Sequence, residues 1–186
     1  MKRNILKHRF TFGIEWVLIP LILGVIAMPQ ARKNARTSSC VNNLKQLSMA
    51  ALMYAQDNVD WYPEDKNLTD CLPMLATYIG DNEKVFICPM TQSQTPTYAF
   101  LLSNAGLKIS QIQRPSSLPV FICDAHAKYQ EVVVAFADGH VEVRKLPYPM
   151  TSYEEIVKHL LAGNTGESSR VLDAVLGNAR RLDRRR

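Results

Sequence analysis

An apolar run from Phe10 to Met28, interrupted by one acid at Glu15, separates a basic N-terminus from a polar remainder. As a helix the run rises about 28 Å, close to the roughly 30 Å hydrocarbon core of a bilayer, so a transmembrane helix over 10–29 is expected. The competing reading is a cleaved secretory signal, in which Lys2, Arg3, Lys7 and Arg9 form the basic region and small residues near Ala27 the cut. Past Pro29 the pattern changes. Val41, Leu44, Leu47, Ala51 and Tyr54 recur at helical spacing with polar residues between them, which predicts that the helix continues over 30–58 with one apolar stripe. Asp57-Asn58 and Tyr62-Pro63 end it.

Residues 59–148 read as an α+β head. A short helix is expected near 70–79, followed by loops rich in Pro, Ser, Thr and Asn. Strands are expected at Pro119–Cys123, Glu131–Ala137 and Val141–Leu146, the last two joined through Asp138-Gly139, a hairpin signal. Two amphipathic helices follow. The first spans Ser152–Ala162, with Ser152 as N-cap and Glu155 completing a capping box, and the second spans Ser168–Leu182. The expected fold is therefore α+β: a long N-terminal, membrane-spanning helix packed on a small antiparallel sheet, with a C-terminal helical extension over 149–186. That extension is either an interaction appendage or a tail packed on the head.

The net charge of +5 does not mark a nucleic-acid protein. Residues 1–9 carry +4 and Arg170 to Arg186 another +4, which leaves 10–169 at −3. Basic charge confined to the two ends gives no basic binding face. The basic residues before the apolar run slightly outnumber those after it, which favours the N-terminus inside. The Arg-rich end, Arg180 to Arg186, is either solvated or a contact for acidic lipid head groups or a partner's acidic surface.

Cys40, Cys71, Cys88 and Cys123 are widely spaced and form no Cys-x-x-Cys pair. In an exported domain disulfides are the default use, with three pairings open; buried free thiols are the alternative. Asp124 and His126, then Asp138 and His140, form two Asp-x-His units that would suit a divalent ion on neighbouring strands. The Asp-Gly turn accounts for Asp138 without a metal, so no resident metal, cofactor or catalytic residue is expected. No nucleophile motif accompanies these groups, and the reading is non-enzymatic.

Several segments occur together in order: Phe10-Thr11 with a nearby Glu, Ser39-Cys40-Val41-Asn42-Asn43-Leu44-Lys45-Gln46, Tyr54-Ala55-Gln56-Asp57-Asn58, Val85-Phe86-Ile87-Cys88-Pro89 and Phe136-Ala137-Asp138-Gly139-His140-Val141-Glu142. Over about residues 9–146 the chain resembles the prepilin-type, type II secretion pseudopilin-like proteins. The resemblance implies a single-pass helix in the bacterial cytoplasmic (inner) membrane and a periplasmic head. The implied partners are membrane lipid, other pilin-like subunits or secretion-system components, and prepilin peptidase; nucleic acid is not among them. It gives Phe10, Gly13 and Glu15 assembly or anchor roles, Glu15 either neutralising a neighbouring subunit's N-terminal amine or reaching to water at the membrane interface. It also singles out the turn Asp138, Gly139 and His140. The chain departs from the family at the cleavage site. With Phe10 first, Arg9 stands in the place of Gly and Glu15 is sixth rather than fifth; with Gly13 before the cut, Glu15 is second. The family's His is followed after nine residues by Asp-Gly, whereas eleven separate His126 from Asp138. Within this frame Cys40 and Cys88 are the preferred disulfide, tying helix to head.

Overall fold

The computed structural model describes residues 4–64, 68–80, 82–102, 106–162 and 166–185; side chains are described from residue 28 onward, except those of 68–70 and 72. Helix α1 runs from Asn4 to Asp57. The chain divides into two compact units, Met1–Thr37 and Ser38–Arg186. Of the first, the backbone is helical from Asn4 onward. Among the described residues no helix is long and apolar enough to cross a membrane. The run expected to do so lies almost wholly on side chains outside the described set, as do Phe10, Gly13 and Glu15.

The second unit is built on the last third of α1. Cys40, Leu44, Leu47, Ala51 and Ala55 are buried along one stripe, and Met49 and Met53 face outward, as the helical spacing requires. The helix stops where its last carbonyls find other donors. The Asn58 side chain donates to the Tyr54 carbonyl at 2.8 Å, and the Asp60 amide reaches back to Ala55 at 2.8 Å. Val59 and Asp60 both take positive φ there, 55° and 68°.

The sheet has four antiparallel strands in sequence order: β1 (Ala99–Phe100), β2 (Pro119–Cys123), β3 (Glu131–Phe136) and β4 (Val141–Lys145). Three of these coincide with the expected strands to within a residue. β1 is too short to leave a pattern in the sequence. Every residue of β2 is buried, and in β3 every residue but Glu131, so both faces of the central strands are covered. Two apolar surfaces share that core: the stripe of α1, and the pair α3 (Tyr153–Leu161) and α4 (Ser169–Asp183) through Ile156, Val157, Val171, Val175 and Ala179. The strand order and the cover together give the α+β class expected from the sequence.

The C-terminal extension is thus part of the head, not an appendage. Asn178, buried on α4, donates to the Leu101 carbonyl at 2.7 Å. Ser152 caps α3 as expected, accepting from the Glu155 amide at 3.3 Å. Glu155 does not complete a capping box; its carboxylate accepts from the Tyr148 hydroxyl at 2.6 Å. The second partner at this helix end comes from far along the chain: Asp183 accepts from the Tyr153 and Glu154 amides at 2.7 and 2.9 Å and from the Ser152 hydroxyl at 2.7 Å. Arg180 of the basic end pairs with Glu154 at 2.9 Å.

The α2 helix (Leu68–Ala76) and a 3₁₀ turn over Thr77–Ile79 occupy the stretch expected to be helical near 70–79. A second 3₁₀ turn, Glu83–Phe86, leads into Ile87-Cys88-Pro89 and presents Cys88 to the core.

Candidate functional site

Four segments far apart in sequence converge in the head. Cys40 comes from α1, Cys88 from the loop after Glu83–Phe86, Cys123 from the last position of β2, and His126 from the turn that follows it. All four are 0 % exposed, which shuts bulk solvent and any substrate out of the group. Their donor atoms, three Sγ and one imidazole nitrogen, lie within 4.8 Å of one another. Cys88 Sγ is 3.6 Å from His126 Nε2.

Each donor is held by local backbone chemistry. Cys88 begins a turn with Pro89 at its second position; the Thr91 amide and hydroxyl both donate to the Cys88 carbonyl, at 3.0 and 2.9 Å. The Cys88 amide donates to Thr97 Oγ1 at 2.6 Å, and the Met90 amide points at Cys88 Sγ from 3.4 Å. On the other side, the turn Asp124-Ala125-His126-Ala127 closes through the Ala127 amide on the Asp124 carbonyl at 2.8 Å. This turn folds His126 back towards Cys123. From α1, Asn43 sits one turn beyond Cys40 and donates to the Ile87 carbonyl at 3.1 Å, beside Cys88. The helix therefore grips the Ile87-Cys88 segment at two places.

The electrostatics concentrate negative charge on one sulfur. Contacts from Cys123 and Cys40 hold the Cys88 thiol far below its ordinary range, against the opposing effect of burial. Cys40 is drawn down by Cys123 but raised more by Cys88 and by burial, to about 12. Cys123 is pushed up by its bonds to Cys40 and Cys88 and by burial. The three sulfurs thus differ in direction, Cys88 being lowered while Cys40 and Cys123 are raised.

The residues expected to pair, Cys40 and Cys88, are brought together, but as free thiols within a four-donor group and not as an isolated bridge. Cys71 is also buried and in no disulfide, on α2, outside the group. Of the four residues considered for a divalent ion, only His126 joins a ligand cluster among the described residues. Asp124 accepts from the Tyr153 hydroxyl at 3.3 Å. Asp138 accepts from the His140 amide at 3.1 Å and from its ring Nδ1 at 2.5 Å, while the His140 ring stacks on Phe136 with centroids 4.4 Å apart. Those two serve the hairpin. The sequence did carry one signal for the group: Cys123-Asp124-Ala125-His126 is a Cys-x-x-His pair, a spacing that places two ligands on one turn.

A family model described as "Protein of unknown function (DUF1559)" matches residues 29–69, which takes in Cys40 but none of the other three donors. No curated protein and no solved structure matches the chain.

Proposed function

We propose that this chain is a membrane-anchored, pilin-like structural subunit of a type II secretion or type IV pilus-like system, without enzymatic activity. Its helix would pass once through the bacterial inner membrane through residues 10–29, and its head would stand in the periplasm among other pilin-like subunits. The observation that carries this reading is a helix of 54 residues whose final third is core, not surface, of a small α+β head. The family match across 29–69 spans this same stretch of helix and supports the reading. Complete burial of the cluster of three cysteines and a histidine favours a structural use over a catalytic one. A second reading is a tethered binding module that does not polymerise, favoured by Arg9 standing where processed relatives carry Gly.

N-terminal sequencing and intact mass of the native protein from washed membranes test the proposal. A start at Phe10 or Ile14 supports processing by prepilin peptidase and filament assembly, and an intact start in the membrane fraction supports the tethered module. A start near Met28 in the soluble fraction overturns both.

A further inference from the structure

We infer that Cys40, Cys88, Cys123 and His126 together bind one zinc ion, which pins helix α1 to the sheet from inside the core. Nothing in this depends on the assembly reading. Three sulfurs and one imidazole nitrogen form a donor set suited to zinc, and four protein donors with no open position make a structural site rather than a catalytic one. The spacing fits. Tetrahedral geometry with zinc–sulfur bonds of about 2.3 Å and zinc–nitrogen bonds of about 2.0–2.1 Å separates a sulfur from a nitrogen by about 3.6 Å, and two sulfurs by about 3.8 Å. The Cys88 Sγ to His126 Nε2 distance is 3.6 Å, and the whole group lies within 4.8 Å, so small side-chain rotations close it on an ion.

The surroundings are those of a metal site. Three thiolates and a divalent cation leave one net negative charge, and the Met90 amide, 3.4 Å from Cys88 Sγ, is directed at it. An ion bound by the three sulfurs displaces their thiol protons to solvent. The loop carrying Cys88 is itself pinned by Asn43 and Thr97, so the donors converge before any ion arrives.

The test is elemental analysis and native mass spectrometry of the full chain, produced with zinc present and purified without chelator. One zinc per chain is expected, and cobalt in its place should give the intense near-ultraviolet thiolate band and visible bands of a tetrahedral site. Cys123→Ser should lose zinc to a competing chelator that the parent resists, Cys71→Ser should keep the full complement, and His126→Cys, which preserves four donors, should retain zinc with a shifted cobalt spectrum. A native chain with a Cys40–Cys88 disulfide, with no stoichiometric zinc, with iron in its place, or with zinc held equally well by Cys123→Ser would overturn the inference.

Discussion

Cys88 Sγ and His126 Nε2 stand 3.6 Å apart, although one belongs to a loop beside α1 and the other to the turn leaving β2. That contact joins the helical and sheet halves of the head, and the stability of the head should respond to whatever occupies the group. Without an ion, Cys123 draws the Cys40 thiol down but Cys88 and burial together push it up from 9.0 to about 12. A group whose pKa is raised by folding stabilises the fold below its unfolded value and loses that contribution as pH rises through its folded value. The metal-free head should therefore lose stability between pH 9 and about 12. Tyr62 and Tyr98, buried phenols pushed up mainly by desolvation, add to the same alkaline loss. The comparison that isolates the thiols is between metal-free and zinc-loaded chains. Zinc loading should abolish their share of the alkaline loss and, as protons compete for the ligands, deepen the acid-side loss that the lowered Cys88 thiol already gives the metal-free head; pH-dependent thermal melts read both.

Much of the fold was legible in the sequence, for local reasons. Asp138-Gly139 between two apolar segments specifies a hairpin whatever surrounds it, and the stripe from Val41 to Tyr54 specifies a helix face. Ser152 and Ser168 mark helix starts by the chemistry of their hydroxyls. What escaped was tertiary. No spacing rule links Cys40, Cys88 and Cys123, since they come from three elements, and a search for paired cysteines passes over Cys123-x-x-His126. Asp183 at the start of α3 is equally invisible, because its partners lie a helix and a turn away. The Asp-x-His pairing failed for a physical reason: the hairpin turn uses both Asp138 and His140, so neither reaches His126.

Gly139 should not tolerate a side chain. Its φ is 89°, and an added Cβ would meet Leu52 Cδ1 at 3.3 Å and Met49 Sδ at 3.4 Å, where Ser48 already approaches its carbonyl. Gly139→Ala should cost about 1–3 kcal/mol of head stability in denaturant unfolding.

Tyr62→Phe should be neutral or mildly stabilising. The hydroxyl is buried with no hydrogen-bond partner among the described residues, while the ring packs edge-on against Phe100 at 6.5 Å. Removing the oxygen relieves a desolvation cost of about 1–3 kcal/mol and keeps the ring contact. A lowered midpoint in thermal melts would show that the hydroxyl has a role.

Asp183→Ala should unfasten the start of α3. Three hydrogen bonds to Ser152, Tyr153 and Glu154 are lost together, for about 1–2 kcal/mol in denaturant unfolding. Hydrogen exchange should localise the change to 152–156, and unchanged protection there would mean that Ser152 alone suffices as cap.

X-ray absorption at the zinc edge on the full chain reads whether three sulfurs and one nitrogen hold the ion that locks α1 into the head. The expected first shell is three sulfurs at about 2.3 Å and one nitrogen at about 2.0–2.1 Å. A shell of oxygen and nitrogen alone, as for an ion bound loosely at the surface, would contradict it.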